Sequence, residues 1–387
     1  MTHETTKTGP AAAKEMASDR ALSAFAERVV AWQRLHGRHG LPWQGTRDAY
    51  RIWLSEIMLQ QTQVATVLRY YEDFLQRFPT VAALASAAPD EVLAAWSGLG
   101  YYSRARNLHA CAQAVVAVHG GVFPTRSDVL QTLPGIGRST AAAIAAFSAG
   151  ERAAILDGNV KRVLARHRGV AEDLSRPVHL RHLWTVAESL LPDRGIEAYT
   201  QGLMDLGATL CLPRQPQCLL CPVQADCVAR REGQPQAYPV KAPRTVRGAK
   251  RSAVLMALID AAPGPCEVML TRRPDRGIWA GLWTLPLWDD DAELERVVSQ
   301  AAPGSRLERL SPVVHALTHL DWTLVPYRMR LTAAEGLAVA RWLMPGSGEP
   351  DAAFKAPALQ RWALDAALAL GLPAPIRRWL EAERNLR

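Results

Sequence analysis

Two carboxylates in this chain stand where acid–base chemistry could use them. Glu56 lies in WLSEIMLQQTQV, Trp53 to Val64, a helix-forming run in which one acid is set among apolar neighbours and followed by three glutamines. Asp157 opens ILDGNVKRVLAR, Ile155 to Arg166, where Asp157, Gly158 and Asn159 form a helix start. Taken alone, Glu56 reads as a helix acid paired with a neighbour. Asp157 alone reads as an N-cap that satisfies the backbone donors of the first turn. Together they make the pair that cleavage of a glycosidic bond requires: an acid for the leaving group and an anion for the oxocarbenium-like state.

Three further stretches carry chemistry. LPGIGRST, Leu133 to Thr140, falls between two helical segments. Its Gly135 and Gly137 permit a tight hairpin and close approach to backbone amides, and the helix that follows offers free N–H groups to an anion. A plain connection between helices is the alternative. GLGYYSRARN, Gly98 to Asn107, sets two aromatics beside two arginines, a composition suited to wedging between bases while neutralising phosphates. A solvated loop with packed tyrosines would look the same. Of six cysteines, Cys211, Cys218, Cys221 and Cys227 are spaced C-x6-C-x2-C-x5-C, which argues for a metal centre and against disulfides. Four thiolates hold either a tetrahedral zinc or an iron–sulfur cluster. Zinc ribbons usually pair two CxxC knuckles; only one is present here, so the spacing leans towards a [4Fe–4S] cluster with the zinc clip still open. Cys111 and Cys266 read as ordinary buried thiols.

The elements that must position these residues fall into two halves. With 387 residues and 49% hydrophobic content, the chain is long enough for two domains. Up to about residue 230 it is a succession of helical periods broken by Gly and Pro, hence all-α. GQPQAYPVKAPRTVRGAKR is Pro-rich, basic and aperiodic, as a linker is. Beyond it, SAVLMALID, EVMLTRR, LWTLPLW and VPYRMRLT read as strands. Helical stretches follow at Asp291 to Gln300 and Ala358 to Leu370, making the second half α+β. The expected boundaries are a disordered lead-in over 1–20, an all-α domain over 21–235 with its cysteine segment at 205–230, a linker over 236–250, an α+β domain over 251–375 and a tail over 376–387. The longest apolar run, Ala141 to Phe147, is far short of the roughly 20 residues that cross a bilayer. No secretory core precedes the first helix, so a cytoplasmic location is expected. A formal charge of +8 fits a polyanionic partner, although an Arg-rich proteome would produce the same balance.

WLSEIMLQQTQV, GLGYYSRARNL, LPGIGRST, ILDGNVKR and the four-cysteine pattern, in this order, resemble the adenine DNA glycosylases of the MutY type, from about Leu41 into the C-terminal domain. The resemblance implies an all-α helix-hairpin-helix glycosylase with one [4Fe–4S] cluster on Cys211, Cys218, Cys221 and Cys227, followed by a MutT-like (Nudix) domain. It implies excision of adenine opposite 8-oxoguanine or guanine in double-stranded DNA, after the base is flipped out. Glu56 would be the general acid, its pKa raised by burial. Asp157 would stabilise the cationic sugar, with Asn159 orienting it. DNA and base recognition would fall to Trp43, Leu59, Gln61, Tyr101, Gly135, Gly137, Ser139, Gln201, Thr318 and His319. Helical spacing puts Gln61 on one stripe with Ile57, Val64 and Leu68.

Two departures from the family pattern matter. Ser139 stands where lyase-active relatives carry a catalytic lysine, which implies a monofunctional enzyme whose product is an abasic site. The stretch WDDDAELERVVSQAAPG lacks the glutamate signature with which a Nudix hydrolase holds its metal, so the second domain is expected to bind without hydrolysing. In the family a Phe-Ser-His loop reads the oxidised guanine; here it is Leu317, Thr318 and His319. A monomer is expected, with sliding clamps or mismatch-repair proteins as partners by analogy. The rival readings are an endonuclease III-like glycosylase/lyase acting on oxidised pyrimidines and a non-catalytic iron–sulfur DNA-binding sensor.

Overall fold

The computed structural model describes residues 24–240, 246–260, 263–343 and 359–386. The expected lead-in over 1–20 lies outside the described residues, as do residues 241–245 of the expected linker. Before the cysteine cluster the chain forms α1 (residues 24–36), α2 (Ala49–Leu59), α3 (Val64–Arg77), α4 (Val81–Ser86), α5 (Pro89–Ala95), α6 (Ser103–His119), α7 (Ser127–Leu130), α8 (Arg138–Ala149), α9 (Gly158–Arg168), α10 (Pro177–Ser189) and α11 (Ile196–Thr209). The short α12 (Val228–Arg231) follows the last cysteine. No helix among the described residues is long and apolar enough to cross a membrane.

The chain folds as two compact units that do not follow its order. Among the described residues, the first takes 24–76, Thr80–Ala82 and 111–240; the second takes Arg77–Pro79, Ala83–Ala110 and everything after residue 245. The contiguous domain expected over 21–235 is therefore corrected: α5, most of α4 and the first turns of α6 pack as part of the other unit. Apolar periodicity shows that these helices have a buried face, but not against what it is buried.

The first unit closes on a core that includes Phe25, Val29, Val160, Leu164, Leu183, Tyr199, Leu203 and Leu206. α9 and α11 cross closely because position 207 is glycine: a Cβ there would sit 2.6 Å from the Asn159 Cβ, far inside van der Waals contact. α2 starts at Asp48, whose side chain accepts from the Tyr50 and Arg51 N–H groups. It stops at Leu59; Gln60 leaves helical geometry and Gln61 is left-handed at φ 55°. The expected stripe through Ile57, Gln61, Val64 and Leu68 is thus two helices joined by a corner.

The second unit is built on an eight-stranded mixed sheet: β1 (Gly248–Asp260), β2 (Glu267–Arg272), β3 (Trp283–Thr284), β4 (Leu287–Trp288), β5 (Leu307–Arg309), β6 (Val313–Ala316), β7 (Leu320–Thr332) and β8 (Leu359–Ala363). β1 and β7 run parallel in register from Gly248↔Leu320 to Asp260↔Thr332. The other pairings are antiparallel, with the order β3-β2-β1-β7-β5, β4 on β1, β6 on β7 and β8 on β2. Residues 253–259 of β1 are buried without alternation, as a strand covered on both faces must be. Three helical pieces, α13 (Asp291–Ala301), α14 (Ala333–Leu343) and α15 (Leu364–Leu368), accompany the sheet, and α16 (Ala374–Asn385) ends the chain.

Three expectations are corrected here. The strand begins at Gly248, inside the expected linker. The run read as a helix from Ala358 to Leu370 is a strand over Leu359–Ala363 and then a short helix; five residues beside β2 gain a full ladder, which outweighs helix propensity. The expected tail over 376–387 is the packed helix α16, with Ile376 and Leu380 fully buried. Its Glu383, 3% exposed, accepts from Arg328 Nη1 at 2.6 Å and Arg330 Nη2 at 3.0 Å, so the buried carboxylate is paired twice.

Candidate active site

Glu56 sits on α2 beside the buried residues Trp53, Ile57 and Met58; the residue as a whole is partly exposed, and its carboxyl end is the part withdrawn from solvent. Burial pushes its carboxyl up to about 8, and the charge of Asp157 pushes the same way. The two carboxylates are therefore close enough to be coupled, as the sequence pairing requires. Asp157 is the N-cap of α9, its Oδ1 accepting from Val160 N–H at 2.7 Å. The capping role and the paired role hold together: the cap fixes the carboxylate at a helix N-terminus, where negative charge is favoured.

The hairpin supports this pair. Gly135 is left-handed at φ 77°, a conformation that only glycine adopts without strain. Gly137 is the N-cap of α8 and brings no side chain to the first-turn N–H groups, which leaves them to an outside anion. Ser139 Oγ accepts from the Leu156 N–H at 2.9 Å, so the residue at the position of the lyase lysine ties the hairpin helix to the residue before Asp157. Gln60 Nε2 reaches Thr140 Oγ1 at 3.3 Å from the end of α2.

Other expected site residues are held by partners of their own. Asn159 makes its side-chain bond with Arg162 Nη2, at 2.8 Å. Arg162 also donates to Gly207 O and Cys211 O, and so joins the start of α9 to the cysteine segment. The role of orienting Asp157 directly has no such bond behind it. Trp43 is a core residue, 8% exposed, with its ring edge-on to Tyr71 at 5.3 Å. That contact gives the indole a packing role. Leu59 is partly buried at the end of α2. Gln201 is held by Asp205: Nε2 donates to Oδ1 at 2.8 Å. Asp205 is fully buried and also accepts from Arg38 Nε and Arg38 N–H. Asp205 and Arg162 were missed by sequence reasoning. For Asp205 the signal was available, since an acid four residues after Gln201 in YTQGLMDLG faces it on the helix.

Cys211, Cys218, Cys221 and Cys227 line one cavity of about 30 Å³, together with Arg166 and Val163. Burial pushes the Cys221 thiol up to about 12, and Cys211, Cys227 and Cys218 add to the rise. The Arg166 guanidinium stands 3.4 Å from Cys211 Sγ. Among the described residues, no three His, Cys, Asp or Glu side chains form a site for a single metal ion. Cys111 and Cys266 are buried apart from this group.

Tyr101, Thr318 and His319 belong to the second unit. Tyr101 is left-handed at φ 47° and 46% exposed. Of the four non-glycine residues with positive φ in the described chain, Gln61 and Tyr101 are two. Strain of that kind collects at functional positions. Leu317 N–H donates to Leu320 O at 2.7 Å, which makes Thr318 and His319 the exposed central pair of the turn between β6 and β7.

Glu56, the glycine hairpin and Asp157 all fall within the first unit. Residues 54–188 match the HhH-GPD superfamily of base excision DNA repair proteins, and residues 256–382 match a NUDIX domain. The chain is 34% identical to human adenine DNA glycosylase, over 83% of this chain and 70% of that one. It is 34% identical to the enzyme of the same name from Buchnera aphidicola of Acyrthosiphon pisum, over 79% of this chain and 87% of that one. The chain belongs to the adenine DNA glycosylase family. Its structure is similar to that of a thermostable thymine-DNA glycosylase, 28% identical, which covers 56% of this chain and 99% of that chain with a TM-score of 0.51.

Proposed function

We propose that this base-excision DNA glycosylase flips adenine out of duplex DNA where it lies opposite 8-oxoguanine or guanine, and excises it to leave an abasic site. The observation that carries the reading is the Glu56 carboxyl, raised to about 8 beside Asp157. At neutral pH Glu56 holds its proton and donates it to an adenine ring nitrogen; the glycosidic bond breaks with its electron pair on adenine. Asp157, the N-cap of α9, would face the cationic sugar. Water then adds at the anomeric carbon and its proton passes to Glu56, which restores the acid. Ser139 has no amine with which to form a Schiff base, so excision stops at the abasic site.

The hairpin amides after Gly137 would take a DNA phosphate. Gln61 and Tyr101 would enter the duplex beside the flipped base and its partner, and Gln201, fixed by Asp205, would face the adenine. The test is incubation with duplexes carrying A opposite 8-oxoguanine, A opposite G, T opposite G, or thymine glycol opposite A, scored for strand breaks with and without alkali. Breaks at adenine that require alkali support the reading. Breaks only at thymine or thymine glycol, or none, would remove it, and alkali-independent breaks would replace the monofunctional reading with a lyase.

The turn Thr318–His319 is our candidate reader of 8-oxoguanine, because it is exposed and closed by the bond from Leu317 N–H to Leu320 O. Replacing both residues with alanine should reduce the preference for 8-oxoguanine over guanine by roughly tenfold, the worth of one or two lost hydrogen bonds. Excision at A opposite G should persist. An unchanged ratio would show that this turn does not read the lesion.

Four thiols around a cavity, with a guanidinium beside one of them, suit an anionic [4Fe–4S] cluster bound by Cys211, Cys218, Cys221 and Cys227. The cluster would supply charge neutralisation and the fold of the 211–227 segment. Purified protein should contain about four iron and four acid-labile sulfide per chain. One zinc per chain would overturn the cluster.

A further inference from the structure

The loop that bears Tyr101 is fixed from the far end of the chain. Ser97, 8% exposed, donates its hydroxyl proton to Leu372 O at 2.9 Å. The same carbonyl accepts from Tyr102 Oη at 3.0 Å, and Tyr102 Oη in turn accepts from Gly98 N–H at 3.3 Å. Both ends of the Ser97–Tyr102 loop thus meet on one carbonyl just before α16. Arg377, on the first turn of α16, completes the arrangement. Its Nε donates to Ser97 Oγ at 2.9 Å, Nη1 to Leu368 O at 2.8 Å and Nη2 to Leu370 O at 3.0 Å; Glu381 lies 4.0 Å away on the same helix. Leu372 is fully buried, so water is excluded from its side of the relay.

Within the loop, Trp96 Nε1 donates to Gly100 O, and Arg104 Nη2 to Leu99 O and Gly100 O. Those bonds bind the loop to its own segment, whereas Ser97, Tyr102 and Arg377 tie it to the C-terminal part of the second unit. Tyr101 is left-handed, and such strain lasts only where the surroundings over-determine it.

We propose that Arg377 is a positioning residue for mismatch recognition: through Ser97 it holds the Tyr101 loop in the shape that reads the base opposite adenine. The proposal rests on the reading of Tyr101 given above. A staple confined to the turn between α15 and α16 would use only the carbonyls of Leu368 and Leu370. The bond to Ser97 distinguishes the two, because Ser97→Ala cuts the relay and leaves that turn intact.

The experiment uses the full chain and single-turnover excision at A opposite 8-oxoguanine, with Arg377→Met, Ser97→Ala, Tyr101→Ala and the two pairings of the first variants with Tyr101→Ala. Arg377→Met keeps the stem and loses the donors. It should raise the half-saturating enzyme concentration roughly tenfold with the saturated rate unchanged, and Ser97→Ala should move it in the same direction. In the Tyr101→Ala background neither should weaken binding further. Wild-type affinity of Arg377→Met, or losses that multiply in the double variants, would overturn the proposal. If Arg377→Met does not fold, as thermal melting would reveal, the Ser97→Ala cycle decides alone. Tyr101→Ala with wild-type affinity would overturn the reading of Tyr101 and the proposal with it, a result distinct from multiplying losses.

Discussion

Glu56→Gln should lower single-turnover adenine excision by roughly 10²–10⁴-fold, the usual worth of a positioned general acid, while mismatch affinity stays within about twofold because amide and acid are nearly isosteric. The wild-type rate should be level at neutral pH and fall as pH rises through about 8, where the Glu56 carboxyl loses its proton. Stability should move in the same window. The folded-state pKa is raised from 4.5 to about 8, so between those values the folded chain holds a proton that the unfolded chain has released. The stabilisation from proton uptake is complete below about 4.5 and is lost as pH rises through 8. The amide variant does not titrate there. Its melting temperature should therefore gain on the wild type with rising pH, the difference widening from pH 4.5 to 8. Excision near the wild-type rate would remove Glu56 as proton donor, and a melting difference independent of pH would contradict its raised pKa.

Asp157→Asn should be nearly as damaging, and for a separable reason. Asparagine is as good an N-cap as aspartate, and its carbonyl can still accept from Val160 N–H, so α9 should keep its start and the melting temperature should change little. The negative charge facing the sugar cation is lost, which should slow excision by roughly 10²–10³-fold. Glu56 also loses the second of the two influences that hold its proton, so the alkaline fall of the residual rate should move to lower pH. A rate close to wild type would reduce Asp157 to a helix cap. A large loss with an unmoved alkaline limb would show that the two carboxylates are not coupled.

The reactive types were legible in the sequence because they are local: an acid within an apolar helical run, an Asp-Gly-Asn helix start, glycines in a hairpin, four spaced cysteines. The supports were not, because their partners lie elsewhere along the chain. Ser139 gives no local hint that it holds Leu156 N–H, 17 residues on. Asn159 turns to Arg162, and Trp43 turns inward to Tyr71, although both look like contact residues in isolation. Leu359–Ala363 reads as helix by composition and becomes a strand because β2 has an edge to satisfy. For α4 to α6 the periodicity announced helices correctly. It could not announce that residues 83–110 share a unit with the chain beyond residue 245.

That interleaving has a consequence for biosynthesis. The bond from Ser97 to Leu372 joins residues 275 apart. At the roughly 5–20 residues per second of translation, Ser97 leaves the peptidyl-transferase centre about 14 to 55 s before its acceptor is made. For most of that interval Leu93, buried in the finished fold, lacks its neighbours Gly281 and Gly371. The first unit can close on its own core, whereas segment 83–110 completes its unit only after the chain beyond residue 245 has been made.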